Sequence, residues 1–433
     1  MGVRRSLAGL VGIASCVCLA GAPRRAHASP QHVFGFGARS AAMAATGAAS
    51  AEGADAVYQN PALLALAKDT ALELGLEGAQ FSLFVEGPMQ PGELAAPSFR
   101  ASTIGAVIPL PFGGALRERV VVGLGFVTPL DVVVRGRILY PEVPQLPLAD
   151  RVASVAVQGG VGVDVGYGVR VGGGFMAMAA LDGSVLVATD ATGRIGTVVE
   201  DTLVASYAPV VGASLDLHEG RYRVGVTFRG ELVGRFNVVI EAENLGDLTI
   251  PPLHVAGVAQ YDPAQLALEV ARVAGPWTVA LGATYEHWPA YPGPAEATVR
   301  CEDAEDAGDC GAPVPLAPDY SGVVVSRVGA ERTFALARGT ELALRAGYGF
   351  SPSPAPEQSG KQSLYDHHRS VVAAGYGVRL APLAPLSFDG FVQLSLLHAR
   401  RHEKSRAAGA DFDGTVATHG AVIAAGIAAK ARF

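Results

Sequence analysis

The sequence lacks long hydrophobic runs. After residue 28, no segment offers about 18 consecutive apolar residues, the length that a membrane-spanning helix requires. Yet 50% of the residues are hydrophobic and the mean hydropathy is +0.30. A chain this apolar without spanning helices after residue 28 must cover or solvate its apolar surface in another way. The 54 glycines and 28 prolines suit many strands joined by turns.

Cysteine is also scarce. Of the four cysteines, Cys16 and Cys18 lie in the apolar N-terminal segment, which leaves Cys301 and Cys310 as an isolated pair. In a secreted protein such a pair predicts one disulfide that closes a small loop. The alternative is a calcium site in this acidic loop, but no EF-hand spacing is present, and we therefore predict no metal and no cofactor. The acidic residues that would form such a site are Glu302, Asp303, Glu305, Asp306 and Asp309.

A basic surface is missing as well. Without the first 28 residues, 29 Lys and Arg face 40 Asp and Glu, a net charge of −11. Nucleic acid is therefore not an expected partner, because its phosphates are bound through basic patches.

The N-terminus has the three parts of a cleaved signal peptide. Arg4 and Arg5 precede an apolar run over residues 7–22, and Ala26-His27-Ala28 forms a cleavage site. The mature chain is then expected to begin at Ser29, after secretion through the inner membrane. Two alternatives remain open: an uncleaved inner-membrane anchor, and a lipoprotein signal that would leave Cys16 lipidated.

The clearest positive signal is alternation over long segments. Along residues 222–240, apolar residues share one face, and Arg223, Arg229, Glu231 and Arg235 share the other. The chain also ends on an alternating strand that closes with Phe433, as outer-membrane barrels do. We therefore predict an all-β fold, a transmembrane antiparallel β-barrel with an apolar outer face and a polar lumen, located in the outer membrane, with Phe433 serving insertion by the barrel-assembly machinery.

About fourteen strands are predicted, an even number as bacterial barrels require. Every second connection is short, which predicts periplasmic turns, and the longer ones at 243–261, 289–319, 352–369 and 401–417 are predicted extracellular loops. The predicted strands cover 70–86, 98–110, 118–140, 151–166, 168–190, 197–217, 221–242, 262–273, 277–288, 320–335, 340–351, 370–381, 385–400 and 418–433.

Residues 29–69 do not fit the barrel wall. They lack sustained alternation, are crowded with alanine, and carry Asn60-Pro61, a turn that ends any preceding helix. Small side chains would let this segment pack as a plug, or hatch, inside the barrel formed by residues 70–433. A disordered periplasmic leader is the alternative.

These residues resemble the outer-membrane long-chain fatty acid transporters of the FadL type, which include aromatic-hydrocarbon channels. The resemblance rests on Gly35-Phe36-Gly37-Ala38-Arg39-Ser40 and on the hatch signature Asn60-Pro61-Ala62. Tyr285-Glu286-His287-Trp288, Arg345-Ala346-Gly347-Tyr348, Ser353-Pro354-Ala355-Pro356 and residues 366–369 add weaker matches in the same order. It implies a monomer that takes up long-chain fatty acids or similar lipophilic molecules, captures them in the lumen, and releases them sideways into the lipid bilayer.

The predicted lateral gate lies in the strand at 118–140. Gly123, Gly125 and Pro129 interrupt it, and proline cannot donate to a strand ladder. A break in a closed wall there would give the resembled family's exit; the alternative is a turn at Pro129.

Candidate substrate-binding residues are two aromatic and four basic side chains. A guanidinium group matches a carboxylate as a bidentate fork, although each arginine is also explained as an ordinary paired lumen charge. The candidates are Phe34, Phe36, Arg223, Arg229, Arg235 and Arg345.

Three rival functions are weighed against the channel. No catalytic motif occurs, so we predict that the protein is not an enzyme; Asp366-His367-His368 is better explained as a polar loop. A general porin fits the charged lumen but not a plug. A structural barrel or adhesin that displays the loop at 301–310 is not excluded by the sequence.

Overall fold

The computed structural model describes residues 30–88, 90–96, 98–131, 143–146, 148, 155–189, 195–243, 253–293, 295–299, 318–380 and 385–433. The predicted signal peptide (residues 1–28) and the cysteines of the predicted disulfide, Cys301 and Cys310, lie outside these ranges, and so does the predicted strand segment 132–140. The strands are β1 Ala71–Glu86, β2 Gly92–Leu94, β3 Phe99–Pro109, β4 Val120–Pro129, β5 Ala156–Gly166, β6 Val169–Thr189, β7 Ile195–Leu217, β8 Tyr222–Arg229, β9 Leu232–Glu243, β10 Leu253–Asp262, β11 Ala264–Ala274, β12 Trp277–His287, β13 Ala295–Val299, β14 Val323–Ala335, β15 Glu341–Ser351, β16 Arg369–Arg379, β17 Leu386–Lys404 and β18 Gly414–Arg432.

Fourteen of these strands close into one antiparallel ring, which confirms the predicted barrel. The ring runs β1, β3 to β8, β11, β12 and β14 to β18, and it closes where β18 pairs with β1 along sixteen residue pairs, from Ala71↔Arg432 to Glu86↔Ala417. The backbone N–H of Phe433 donates to Thr70 O at 2.8 Å, so this hydrogen bond ties Phe433 to the start of β1. A closed ring leaves no strand edge exposed to lipid.

Four strands lie outside the ring. Short β2 pairs with β1, while β9 pairs with β10 and runs parallel to β6, and β13 pairs with β10. The prediction of one continuous strand over 221–242 is therefore wrong. The ring strand ends at Arg229, and Leu232, predicted to face lipid, is only 1% exposed. The chain turns at Gly230, where an added Cβ would lie 2.7 Å from Pro209 of β7.

The wall has the predicted two faces. On β1, Leu72, Leu74 and Leu76 are 42%, 54% and 55% exposed, whereas Glu73 between them is 7% exposed. The same alternation places Phe388, Val392, Leu394 and Leu396 of β17 on the outer face. A wall that is apolar outside and polar inside is what a bilayer requires of a barrel.

Every second connection around the ring is short, as predicted. One of these turns joins β5 to β6 through Gly166, Tyr167 and Gly168, whose φ angles of 95°, 56° and 77° favour glycine at its two ends. In the described ranges, no helix is long and apolar enough to cross a membrane.

The N-terminal segment lies inside the ring and forms short helices. They are α1 Pro30–Phe34, α2 Ala38–Ala42, α3 Asp55–Gln59 and a 3₁₀ turn, Pro61–Leu66. Nearly all of their residues are buried, and the segment contacts wall strands on opposite sides of the ring. The main apolar core therefore lies between this hatch and the inner face of the wall.

Candidate functional site

The signature Asn60-Pro61-Ala62 joins two parts of the hatch to the wall. The Asn60 side chain accepts a hydrogen bond from Ala62 N at 3.0 Å, which caps the 3₁₀ turn. Its amide donates to Ala48 O at 2.6 Å and to Ala213 O of β7 at 3.1 Å. One fully buried side chain thus fixes the turn, the preceding loop and the barrel relative to each other.

The wall makes room for this signature with glycine. A Cβ on Gly172 of β6 would lie 2.3 Å from Ala62 N, and one on Gly212 of β7 would lie 2.0 Å from the Asn60 side chain. Both contacts are far closer than real Cβ atoms allow, so the wall backbone lies directly against the hatch at both glycines. The hatch signature and these wall glycines form one interlocking unit.

Glu269 of β11 holds the loop that precedes α3. Its Oε2 accepts from Gly47 N at 2.7 Å and from Ala48 N at 3.2 Å, while its Oε1 accepts from Ala49 N at 3.1 Å and from Ser50 Oγ at 2.6 Å. The side chain is 3% exposed. Four donors converge on one buried carboxylate, which is an anion site built by the hatch around a wall residue.

A second electrostatic contact lies on the other side of the hatch. Arg39 of α2 donates to both oxygens of Glu331 on β14, at 3.1 and 3.0 Å. Glu331 also accepts from Arg345 Nε at 2.6 Å, and Arg345 donates to Asp389 of β17. Burial lowers the pKa of Arg39, but the carboxylates of Glu52 and Glu331 outweigh it and raise the pKa above its ordinary value. This network keeps the guanidinium charged and the hatch attached.

The first helix is anchored near the other end of the barrel. His32 of α1 lies 2.9 Å from Glu286 Oε1 at the end of β12, and Trp288 Nε1 donates to Glu286 Oε2 at 2.9 Å. Trp288 stacks on Tyr261 with ring centroids 4.8 Å apart. Hence the matched segment 285–288 serves as a docking point for the hatch and an aromatic cluster.

Phe34 and Phe36, both predicted substrate contacts, are 2% exposed in the hatch core. Phe34 stacks on Phe99 of β3 with centroids 5.9 Å apart, and Gln393 of β17 donates to Phe34 O at 2.9 Å. Both rings therefore pack against the wall in this state of the molecule, as the packing alternative expects.

The structure places three of the four predicted head-group arginines in pairs. Arg223 donates to Asp216 at 2.6 Å, Arg345 binds Glu331 and Asp389, and Arg229 bonds to Gln265 and to Tyr58 O. For Arg235 the structure describes the backbone of β9 only. These three arginines thus already have hydrogen-bond partners within the protein, and their role in binding a substrate stays a prediction.

The residues of the predicted gate lie on β4. A Cβ on Gly123 would lie 2.5 Å from Val57, and one on Gly125 would lie 2.7 Å from the Phe36 ring, so both glycines give the hatch room. Pro129 is the last residue of β4 and pairs with Ala101 of β3. On the other side of β4, the ladder with β5 already ends at Val127↔Ala156. Pro129 therefore lies two residues beyond the last described pair with β5.

An apolar groove of about 720 Å³ lies beside the end of β4. It runs across neighbouring strands of the wall, from Leu130 over β3, β1 and β18 to β17 and β16. Its rim includes outer-face residues that are 46–60% exposed: Leu76, Leu130, Tyr376, Val392 and Ile427. Its floor includes Glu77, Ala101, Gly375, Phe391 and Gly426 from inner-face positions. The lining thus draws on both faces of the sheet, and it is almost entirely apolar.

Sequence reasoning missed Glu269, Glu331 and the groove. A carboxylate on the inner face was visible in the alternation of β11 and β14, but its partners lie more than 200 residues away in the sequence. The groove is formed by strands from both ends of the chain, and only closure of the ring brings them together. Among the residues that the structure describes, no group of three or more His, Cys, Asp or Glu is arranged to hold a metal ion.

Comparison with known proteins gives matches in structure only. No family model matches the sequence, and no curated protein does. A Pseudomonas aeruginosa FadL homologue superimposes with a TM-score of 0.64 at 14% identity, covering 92% of this chain and 98% of the other. The toluene transporters TodX of P. putida and TbuX of Ralstonia pickettii give TM-scores of 0.58 and 0.55 at 15% identity, each covering 93% of this chain and 99% of the other.

At such low identity the likeness concerns the backbone, and it spans almost the whole of each chain. The resemblance read from the hatch signature is confirmed at that level: the chain has the fold of the FadL-type outer-membrane channels.

Proposed function

We propose that this protein is an outer-membrane channel for the passive uptake of hydrophobic compounds, captured in the lumen and released sideways through the wall. The observation that carries the proposal is the apolar groove beside Pro129, in the wall of a barrel whose lumen is filled by the hatch. A solute that cannot pass straight through a plugged lumen needs another exit, and the groove opens on the outer, apolar face.

Burial of apolar surface suffices to drive capture. Each buried CH₂ group contributes about 0.8 kcal/mol, so an apolar groove binds a lipophilic molecule without polar chemistry. Its volume of about 720 Å³ lies within the range of ligand sites. Release into the bilayer avoids returning the solute to water, and downhill movement needs no energy source and no cofactor.

The substrate class in this proposal is long-chain fatty acids or similar lipophilic molecules. The names of two structurally similar proteins, toluene transporters, support a hydrophobic cargo for this chain as well. Residues 1–28 would be removed during export, and the barrel-assembly machinery would insert the mature chain, which we expect to work as a monomer.

A general porin is the rival that a charged lumen favours. Four hatch donors on Glu269 and the bidentate contact between Arg39 and Glu331 argue against it, because a plug held this firmly blocks ions. Planar-bilayer recording separates the two: a porin gives large steady currents, and the proposed channel stays nearly silent.

Filling the groove tests the exit directly. Ala425 of β18 lines the groove from the outer face, whereas Ala429 lies four residues further along the same face, outside the groove. In cells that lack their own transporter, Ala425→Phe is expected to slow uptake of radiolabelled decane by at least about tenfold, because the ring fills the path.

Ala429→Phe is the matched control and is expected to transport like the wild type. Equal uptake by both variants, with equal amounts of folded protein in the outer membrane, would refute lateral exit at this groove. Absence of uptake by the wild type would refute the channel function itself.

A further inference from the structure

The groove contains one carboxyl group for which the described residues provide no hydrogen-bond donor and no counter-ion. Glu77 is on the inner face of β1 and lines the groove floor. Its neighbours on that face are Gly75 and Ala79 along the strand, with Ala101 of β3 and Gly426 of β18 directly opposite. None of these four residues has a side-chain donor.

Other lumen carboxylates in the described part of the chain are paired. Glu73 lies four residues before Glu77 on the same face of β1, and its carboxylate is 3.3 Å from Lys430 Nζ. Glu331 binds two arginines. Glu77 makes no hydrogen bond or ion pair to any described residue. In apolar surroundings a carboxyl group without a donor is costly as the anion, so it either takes up a proton or binds a cationic donor.

The only other charged residue in the groove lining is already neutralised. Arg100 of β3 binds Asp131 through two hydrogen bonds of 3.3 and 3.2 Å, and its side chain is 64% exposed on the outer side. An anionic head group in the groove would therefore meet a carboxyl group and no cation at the floor, and a guanidinium that is already occupied at the rim.

We infer that the groove selects hydrophobic molecules that carry a hydrogen-bond-donating head group, above all alkylamines, and disfavours fatty-acid anions. The apolar lining takes the hydrocarbon chain, and the head group donates to Glu77. An ammonium group also neutralises the buried charge, so it binds more tightly than a hydroxyl group. This inference rests on the proposed function and narrows its substrate class.

Competition between matched amphiphiles tests it. The detergent-purified full-length protein is incubated with equal concentrations of dodecylamine, dodecanoate and dodecane at pH 7.5, and bound species are counted by native mass spectrometry. The three probes share one chain length, so differences in the amounts bound report the effect of the head group alone. We expect dodecylamine to exceed dodecanoate by at least about tenfold, the effect of one charge-assisted hydrogen bond.

Glu77→Gln removes the charge and keeps the shape. It is expected to abolish the preference for dodecylamine and to raise the bound share of dodecanoate. Glu86→Gln makes the same charge change near the far end of the same strand, where the side chain is 60% exposed, and should keep the wild-type ratio. If Glu77→Gln does not fold, the ratio of bound dodecylamine to bound dodecanoate in the wild type still tests the inferred preference.

Two results overturn the inference and leave the channel intact: dodecanoate bound as well as dodecylamine by the wild type, or the same ratio in Glu77→Gln. If the wild type binds none of the probes, dodecane included, then both this inference and the proposed hydrophobic cargo fail.

Discussion

Glu269 gives the sharpest prediction about the hatch. Glu269→Ala removes both oxygens that accept hydrogen bonds from Gly47, Ala48, Ala49 and Ser50. The three backbone N–H groups and the hydroxyl then remain in the lumen without their acceptor. We expect the loop at 47–50 to leave the wall and the hatch to open.

The size of the effect follows from the number of stranded donors. A buried donor left without a partner costs about 1–3 kcal/mol, and the cavity left by the side chain admits water that satisfies some of them. Taking the low end for all four groups gives a loss of about 4 kcal/mol in hatch docking, or about a thousandfold in the docking equilibrium. Glu269→Gln keeps one acceptor oxygen and should lose about half of this free energy.

Two measurements report the opening. Hydrogen exchange of the peptide that covers residues 45–52 should speed up by about a thousandfold in Glu269→Ala, because local opening sets the exchange rate. In planar bilayers the variant should show ion currents that the wild type lacks. Glu341→Ala is the control: it breaks a pair with Arg379 in which both side chains are nearly half exposed, and such pairs contribute little.

The reasoning is refuted if Glu269→Ala exchanges this peptide at the wild-type rate and stays electrically silent. Such a result would mean that the four hydrogen bonds do not hold the hatch, and that packing alone does.

Three further predictions concern the hatch signature and the outer loop. Gly172→Ala should loosen the hatch by about 1–3 kcal/mol, read as ion leakage, since the added Cβ meets backbone; Gly173→Ala, whose Cβ has only one atom near it, at 3.9 Å, should not. Asn60→Ala should lower the melting temperature, because it removes a helix cap and strands two carbonyl groups; an unchanged melting curve would contradict this. Burial, reinforced by Arg400 and His419, lowers the pKa of His367. The folded protein then holds fewer protons than the unfolded chain below about pH 6.5, so the free energy of opening the loop at 352–368, obtained from its exchange protection factors, should decrease as the pH falls through that value. His367→Gln should remove this pH dependence of loop opening. A pH dependence that persists in the variant would mean that another group causes it.

The barrel could be predicted because each strand carries its own signal. Leu72, Leu74 and Leu76 alternate with Glu73 in the sequence as they do across the wall, and lipid on one side makes this period obligatory. The end of the ring strand at Arg229 could not be predicted from the pattern, since Leu232 continues the alternation. It depends on the close approach of Gly230 to Pro209, a contact between two strands.

The hatch was predictable as a segment but not in its contacts. Crowded alanines and Asn60-Pro61 indicated that residues 29–69 differ from the wall. Which wall residues hold them depends on closure of the ring, which sets Glu269 beside Gly47 and Gly172 beside Ala62. The same closure creates the groove, because it brings β1 and β3 next to β17 and β18.

The most direct test of the central claim is to locate an apolar solute in the protein. Crystals soaked with 1-bromodecane should show an anomalous bromine peak in the groove between Leu130 and Ile427, and Ala425→Phe should remove it. Bromine found only in the lumen above the hatch, or only along other parts of the outer wall, would contradict a lateral path through this groove.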